Sequence, residues 1–203
     1  MRAALGLWSQ GDFDEAYEAS TATDIARAAG VSRGTFYFHF ASKEDIILEM
    51  SSATTQAMTD QIEAGMRRGV PLHSLTEQVM ASMARRVVRA PKAAALRAVA
   101  LGFRARASEV ALGGTRFGAA FGSLVRYGKE RGELSAEVDE EETAAMLSVV
   151  TADAIIRWGA GNRSPAWLGQ TLRDRVEVIL SGVTRMRDRQ PTADADAPNS
   201  EAH

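Results

Sequence analysis

The most informative part of the sequence is TATDIARAAGVSRGTFYFHFASKED, residues 21–45. Thr21 and Asp24 have the spacing of a capping box, in which two side chains satisfy the free amides at the start of a helix. Gly30 can adopt the left-handed conformation that ends that helix. A second short helix then begins near Ser32. Two short helices joined by a tight, glycine-containing turn are typical of the helix-turn-helix motif.

The second helix of this stretch has two different faces. At about 100° per residue, Phe36 and Phe40 share one face, and we expect them to close a small core with Ile25 and Val31. Phe38 points the opposite way. An exposed aromatic side chain on so short a helix is costly unless a partner covers it, and a DNA major groove would provide that cover.

The side chains of this second helix also suit contacts with DNA. Arg33 can pair with guanine, and Thr35 or Phe38 can touch a thymine methyl group. Tyr37 and His39 can reach phosphates. The pattern therefore favours a recognition helix.

A third helix begins at another capping box, formed by Ser42 and Asp45. Lys43 and the free backbone amides at that helix start make a natural phosphate contact. Between residues 20 and 43, three basic side chains face a single acidic one. The motif is locally positive although the net charge of the chain is −2.

The spacing alone is equally typical of an αα-hairpin inside an ordinary helical bundle. The aromatic run on the outer surface favours the DNA-binding interpretation over that hairpin.

Residues 21–45 closely resemble the DNA-binding signature of the TetR family of bacterial repressors, approximately T-x-x-D-I-A-x-x-A-G-V-S-x-G-T-x-Y-x-H-F-x-S-K-E. The resemblance implies an all-α fold of about nine helices. An N-terminal three-helix helix-turn-helix domain would bind DNA, and a C-terminal helical domain would bind a ligand and dimerise. The matching residues are Thr21, Asp24, Ile25, Ala26, Ala29, Gly30, Val31, Ser32, Gly34, Thr35, Tyr37, His39, Phe40, Ser42, Lys43 and Glu44.

Carried over to this sequence, the resemblance implies two sets of DNA contacts. One set reaches bases or the groove, and glycine there lets the backbone come close: Arg33, Gly34, Thr35 and Phe38. The other set reaches phosphates and includes a threonine at the start of the preceding helix: Ser32, Tyr37, His39, Lys43, and Thr21 or Thr23.

Two features depart from the family pattern. Members usually begin with a basic stretch before a full first helix, whereas Met1 and Arg2 stand almost at the start of that helix. The connection from Gly11 to Ser20 is longer than usual and acidic. Because residues 1–50 carry eight acidic and four basic side chains, we expect weak non-specific binding to DNA.

The composition excludes several kinds of site. The chain has 203 residues, 45% of them hydrophobic, and no cysteine, which excludes disulfides, thiolate metal sites and cysteine nucleophiles. His39, His73 and His203 are far apart, and no pair has the spacing of a metal site on one helix. We therefore expect no metal, no cofactor and no enzymatic activity.

The chain shows no signal for a membrane or for export. No apolar run approaches 18 residues, and the N-terminus lacks a basic segment followed by an apolar core. We expect no membrane span and a cytoplasmic location.

Helical patterns fill nearly the whole chain, without strand alternation. Residues 11–19 are acidic and are expected to be irregular. The organisation predicted is a helix-turn-helix DNA-binding domain over 1–48, a ligand-binding and dimerisation domain over 49–189, and a disordered tail over 190–203, which has almost no large apolar groups. Helices are expected at about 1–9, 22–29, 33–40, 43–66, 72–90, 92–106, 109–131, 139–160 and 165–187.

The last two predicted helices are strongly apolar. Residues 144–158 are apolar nearly all round, as buried helices are. A core position explains both helices, and the resemblance implies that they also pair with their copies in a four-helix dimer interface. A dimer would place two recognition helices on a palindrome. The interface residues expected are Leu147, Val150, Ala154, Leu168, Leu172, Val176, Ile179 and Val183.

Methionine and aromatic side chains of the middle helices suit either a pliable apolar pocket or a plain core. No polar constellation identifies a ligand, so the effector expected is a small, largely apolar molecule. The candidate lining residues are Met80, Met83, Leu101, Phe103, Phe117, Phe121 and Trp158.

These features predict a homodimeric regulator, in the family's usual mode a repressor, that binds palindromic double-stranded operator DNA. A ligand would release it by favouring a conformation that no longer matches the DNA. Three alternatives stay open: a DNA-binding regulator without a small-molecule effector, a purely structural helical dimer, and a helical enzyme. For the enzyme the sequence offers no nucleophile with an adjacent base.

Overall fold

Ten α-helices make up residues 1–109 and 116–186, the part of the chain that the computed structural model describes. The all-α prediction is confirmed, and no strand occurs in that part. The predicted tail, 190–203, lies outside the described residues. The helices are α1 (Arg2–Trp8), α2 (Phe13–Ala19), α3 (Ala22–Ala28), α4 (Arg33–His39), α5 (Lys43–Arg67), α6 (Leu72–Val87), α7 (Lys92–Glu109), α8 (Arg116–Glu130), α9 (Glu140–Ala160) and α10 (Pro165–Met186).

Helix α2 corrects the prediction that residues 11–19 are irregular, and it is the helix that raises the number from nine to ten. Asp12 begins it by accepting a hydrogen bond from the amide of Glu15 at 2.9 Å. Phe13 and Tyr17, one turn apart, pack edge-on against Trp8. The prediction was wrong because the many acidic side chains made this short apolar repeat difficult to recognise. Acidic residues are in fact favourable in the first turn of a helix.

The other predicted helices are found close to their expected bounds. Helix α7 continues to Glu109, three residues past its expected end near 106. The helix expected from about 109 is described from Arg116 onward, as α8. Residues 110–115 lie outside the described part.

The turn between α3 and α4 has the predicted left-handed glycine. Gly30 has a φ of +68°, a value that favours glycine. The amides of Gly30 and Val31 donate to the carbonyls of Arg27 at 3.1 Å and Ala26 at 3.0 Å, which is the Schellman arrangement. Both predicted capping boxes, at the starts of α3 and α5, are present.

The N-terminal helices close a small core of their own. Ile25 and Phe36 are buried in it, as expected, and Phe40 packs against it half-buried. Val31 is 42% exposed, so its predicted core role is wrong. Because it follows the left-handed Gly30, its side chain leaves the turn toward solvent.

A second, larger core is formed by residues of helices α5 to α10 and of the segment between α8 and α9. Helices α9 and α10 are also joined by Asp153, whose carboxylate accepts hydrogen bonds from Arg157 and Arg175, each at 2.7 Å.

Helix α5 is continuous from Lys43 to Arg67, so the predicted domain boundary after residue 48 falls within one helix. The division into domains stays a prediction. Every described helix is too short or too polar to cross a membrane.

Candidate nucleic-acid interface and ligand cavity

Helix α4 presents nearly all its side chains to solvent. Phe36 alone is buried, at 4% exposure. Phe38 is 84% exposed, the highest value for a large apolar side chain in the part of the chain described, and Tyr37 is 47% exposed. Arg33, Thr35 and His39 are exposed as well. The predicted DNA-contacting side chains of α4 therefore share one accessible surface.

Local contacts fix the start of this surface. Ser32 caps α4 by accepting a hydrogen bond from the amide of Thr35 at 3.0 Å, and the two hydroxyl oxygens are 2.8 Å apart. The guanidinium of Arg33 lies 5.5 Å from the ring centre of Tyr37, within the range of a cation–π contact. Arg33 and Tyr37 are thus held near each other before any partner binds.

Gly34 has no structural reason to be glycine within the chain. A Cβ atom built there would meet only the hydroxyl oxygen of Ser32, at 3.7 Å, which is ordinary contact. Glycine costs a helix about 1 kcal/mol relative to alanine. No neighbouring group in the described part of the chain offsets this cost, and close approach of DNA to Gly34 stays a prediction.

The threonines predicted to contact phosphate lie at the start of α3. The hydroxyl of Thr21 donates to Asp24 at 2.6 Å, and this bond, followed by the one from the Thr21 amide, holds the pKa of Asp24 below its usual value. The side chain of Thr23 is exposed. Both remain predicted contacts.

Lys43, another predicted phosphate contact, is engaged within the chain. Its ammonium group donates to the carbonyls of Tyr17 at 2.7 Å and Glu18 at 3.3 Å, at the negative C-terminal end of α2. A phosphate contact through this group requires it to leave those carbonyls. Sequence reasoning missed this because it missed α2.

Arg97 of α7 is a second feature that the sequence did not reveal. It donates to Asp14 and Glu18 of α2, at 2.9 Å each, and its guanidinium lies 4.1 Å from the ring centre of Tyr17. Burial, together with a hydrogen bond to Glu44, raises the pKa of Tyr17. Helices α2, α5 and α7 therefore meet at one tyrosine ring.

A cavity of about 420 Å³ lies among helices α5 to α9, within the size range of ligand sites. Three predicted lining residues are there: Met83, Phe103 and Phe117. The other four are not among its lining residues. Met80, Phe121 and Trp158 are buried in the larger core, and Leu101 packs against the N-terminal core.

The polar lining of the cavity was not predicted. It comprises Ser51, Ser52, Thr54, Thr55, Arg86 and Arg116, with Ser148 from α9. One signal could have found part of it. Residues 51–55 contain four serines and threonines, which are poor helix formers. Their presence in a long helix is better explained by a polar wall of an internal cavity than by a surface that faces solvent.

The two last helices bury most of the predicted dimer residues inside the single chain. Leu147, Ala154, Leu168, Leu172 and Val176 are each 0% exposed, so they offer no surface to a partner. Val150, Ile179 and Val183 are half-buried. The apolar side chains that these helices do expose are Met146, Val149, Ile156 and Val178.

The side chains of residues 1–104 and 116–183 include no group of three or more histidines, aspartates or glutamates that could hold a metal ion.

Comparisons with known proteins agree on one family. The chain has the fold of FadR from Thermus thermophilus, described as a TetR-family transcriptional repressor in complex with lauroyl-CoA. The TM-score is 0.68 with 24% sequence identity, and the alignment covers 97% of both chains. Residues 1–50 match the sequence model of the bacterial regulatory proteins of the tetR family. The first 50 residues therefore match the model of that family, and the chain as a whole has the fold of a solved TetR-family repressor.

Two further proteins are similar to this chain, one in a short stretch of sequence and one in fold. The chain is 54% identical over 35 residues to an uncharacterized HTH-type transcriptional regulator, YwcC, of Bacillus subtilis. That match spans 17% of this chain and 16% of the relative. The fatty acid degradation regulator FadR of Bacillus halodurans shares the fold, with a TM-score of 0.65, 18% identity, and coverage of 90% of this chain and 93% of that one.

Proposed function

We propose that this chain is a transcriptional repressor of the TetR family that binds palindromic operator DNA as a homodimer and is released by a small, largely apolar molecule. The observation that carries the proposal is the outer surface of α4. There an 84% exposed phenylalanine stands beside a glycine that the chain itself does not require. A surface of this kind is costly in water and fits a major groove.

The remaining α4 side chains have the chemistry that base and backbone contacts need. Arg33 can bind guanine, and Thr35 and Phe38 can contact a thymine methyl group. Tyr37 and His39 are exposed on the same short helix, where they can reach phosphates. The acidic residues Asp14 and Glu18 are paired with Arg97, so part of the negative charge near this surface is compensated.

The dimer would form on the outer apolar stripe of α9 and α10. Met146, Val149 and Ile156 recur at helical spacing on α9, and Val178 of α10 is 71% exposed. Exposed apolar residues that form a stripe are typical of a protein contact, whereas single ones are ordinary. A second copy of the chain is the proposed partner, since two recognition helices are needed to read a palindrome.

The effector would occupy the cavity among α5 to α9. Its walls are largely apolar, with Val87, Val99, Phe103, Phe117 and Ile155 among them. The Thermus thermophilus relative with the same fold was solved with lauroyl-CoA, which supports a ligand with an apolar part for this chain too.

Ligand binding and DNA binding would be linked through α7. Ala98 lines the cavity and also belongs to the N-terminal core. Its neighbour on α7, Arg97, holds α2. A ligand that prefers a different position of α7 would therefore shift the DNA-binding helices, by as much as its affinities for the two states differ.

The experiment is fluorescence anisotropy of the protein on DNA that flanks its own gene, at two salt concentrations. Arg33→Ala should lower the affinity at least tenfold, as expected for the loss of a bidentate base contact. Arg85→Ala is the matched control, because Arg85 is an exposed arginine on α6. Equal affinity of wild type, Arg33→Ala and Arg85→Ala for every DNA tested would contradict the proposal. Failure of all small molecules to release bound DNA would favour a regulator without an effector.

A further inference from the structure

We infer that the cavity among α5 to α9 takes an amphipathic anion, a molecule with an apolar chain and a carboxylate or phosphate head. The inference rests on the proposed function, in which this cavity holds the effector, and it names the effector's chemical class. It is carried by the charges and hydrogen-bond donors that line the cavity.

The described lining carries positive charge without negative charge. Arg86, in the last turn of α6, and Arg116, the first residue of α8, both line the cavity. No aspartate or glutamate is among the lining residues in the described part of the chain. A cationic ligand would meet two like charges, whereas an anionic head would meet two opposite ones.

Both arginines are available to a ligand. Neither makes an ion pair with a side chain of residues 1–104 or 116–183, although several other arginines of the chain do. Both are exposed at the edge of the cavity, so they can stay hydrated when the cavity is empty. A planar guanidinium binds a carboxylate or phosphate through two parallel hydrogen bonds, which are among the stronger kinds in proteins.

The hydroxyl groups of α5 add donors to the same cavity. Thr54 and Thr55 use their hydroxyl hydrogens on the carbonyls of Met50 and Ser51, at 3.2 Å each. For Ser51 and Ser52 no side-chain hydrogen bond occurs within the described residues, so their hydroxyls can donate into the cavity. Two guanidinium groups and two free hydroxyls form a wall rich in hydrogen-bond donors. Such a wall favours a ligand with several hydrogen-bond acceptor atoms.

The rest of the wall suits a hydrocarbon chain. Alanine, valine, methionine, phenylalanine, leucine and isoleucine side chains make up most of the lining, and each methylene that such a wall takes out of water strengthens binding by about fourfold. A purely polar anion would leave this surface uncovered. A purely apolar molecule would leave the donor wall without acceptors.

The test measures binding to the full-length protein by isothermal titration calorimetry with four probes that share a ten-carbon chain. They are decanoate, decyl phosphate, 1-decanol and decyltrimethylammonium, each kept below its micelle concentration. At least one anion should bind roughly ten- to hundredfold more tightly than the alcohol, as charge-assisted hydrogen bonds predict. The cation should bind most weakly. The order of decanoate and decyl phosphate tells a free-acid effector from one with a phosphate head.

The variant Arg86→Gln/Arg116→Gln should bind the better anion no more tightly than the alcohol, while its affinity for 1-decanol stays within about twofold of wild type. The control is Arg85→Gln, which removes an exposed arginine one position before Arg86 and outside the lining. The control should keep the full preference for the anion.

Three results would overturn the inference: equal affinities for anion and alcohol in the wild type, tightest binding of the cation, or no binding of any probe. The wild-type series is sufficient by itself, so a folding defect in the double variant would not rescue the idea. Sequence-selective DNA binding is measured on the same preparation. If the protein binds DNA selectively but shows no preference for the anion, only this inference fails. If selective DNA binding is absent too, the proposed regulator function fails as well.

Discussion

Gly34 lies at the centre of the exposed surface of α4, and no neighbouring group within the chain explains it. The space where a Cβ would stand is open apart from ordinary contact with Ser32. Helical glycine lowers stability, so the residue is expected to act through what binds to α4. We therefore predict that Gly34 serves DNA binding rather than the stability of the fold.

Gly34→Ala should increase the free energy of unfolding by about 0.5–1 kcal/mol and weaken DNA binding at least tenfold, because a methyl group would stand between backbone and groove. The matched control is Gly6→Ala in α1, which also has open space around the missing Cβ. Both variants should gain similar stability in urea unfolding. Wild-type DNA affinity in Gly34→Ala would contradict the role given to α4.

The capping box at the start of α3 gives a pH dependence with a defined sign. Hydrogen bonds from Thr21 hold the pKa of Asp24 below its usual value. A carboxylate whose folded-state pKa is depressed stabilises the fold above the unfolded pKa, about 4, and loses that contribution as the pH falls through the folded pKa.

Asp24→Asn should therefore lower the free energy of unfolding near pH 7, and its difference from wild type should shrink below about pH 4. Urea unfolding between pH 3 and 7 measures this difference. Thr21→Ser, which keeps the hydroxyl, should retain the wild-type dependence. A difference between Asp24→Asn and wild type that is the same at every pH would show that the capping box does not act through its charge.

At the scale of single elements, α2 is the helix on which several separate contacts converge. Its C-terminal carbonyls hold Lys43, its carboxylates hold Arg97, and the ring centre of Tyr17 lies 4.5 Å from the Lys43 ammonium and 4.1 Å from the Arg97 guanidinium. Both distances lie within the range of cation–π attraction, which adds to the ion pairs. Helix α2 thus joins the start of α5 to α7.

Arg97→Gln should loosen α2 specifically. Because the substitution removes two ion pairs and the cation–π interaction with Tyr17, we expect a cost of about 1 kcal/mol, and the amides of α2 should exchange with solvent roughly fivefold faster. The control is Arg67→Gln, which breaks only an exposed i,i+4 pair with Glu63 and should change little. Unchanged exchange in α2 would mean that Arg97 does not hold this helix.

The sequence predicted those elements whose signals are local. Both capping boxes and the turn at Gly30 depend on residues within about four positions of each other, and all were found. Helix α2 was missed because only Phe13 and Tyr17 mark its buried face, and what they bury against, Trp8, lies outside the helix. Arg97 was missed because its partners are 79 and 83 positions away.

For the molecule as a whole, helical periodicity identified the apolar positions of α9 and α10 but not the partners they face. Leu147 and Ala154 face the core of their own chain, whereas Val149 and Ile156 occupy a second, outer stripe of the same helix. The cavity shows the same limit, since Met83 lines it and Met80, nearly one turn away, does not. Which side of an apolar helix faces a core, a ligand or a second copy depends on tertiary packing.

The outer stripe predicts the site of dimerisation. Val178→Asp should raise the dimer dissociation constant at least tenfold, because an unpaired charge would be buried between two copies. The measurement is sedimentation velocity over a range of concentrations. Val31→Asp, at an exposed valine of the N-terminal turn, should leave the dimer intact. A Val178→Asp protein that sediments as wild type would place the interface elsewhere.

If α4 reads DNA as part of a dimer, selection from a random duplex DNA library should reveal it without knowledge of the operator. Wild-type protein should enrich an inverted repeat whose half-sites lie about one helical turn apart or a little more. Phe38→Ala, at a side chain with little internal packing, should lose the enrichment while keeping the stability of the fold. If the wild type enriched no sequence, or if Phe38→Ala enriched the same repeat equally well, this role of α4 would be contradicted.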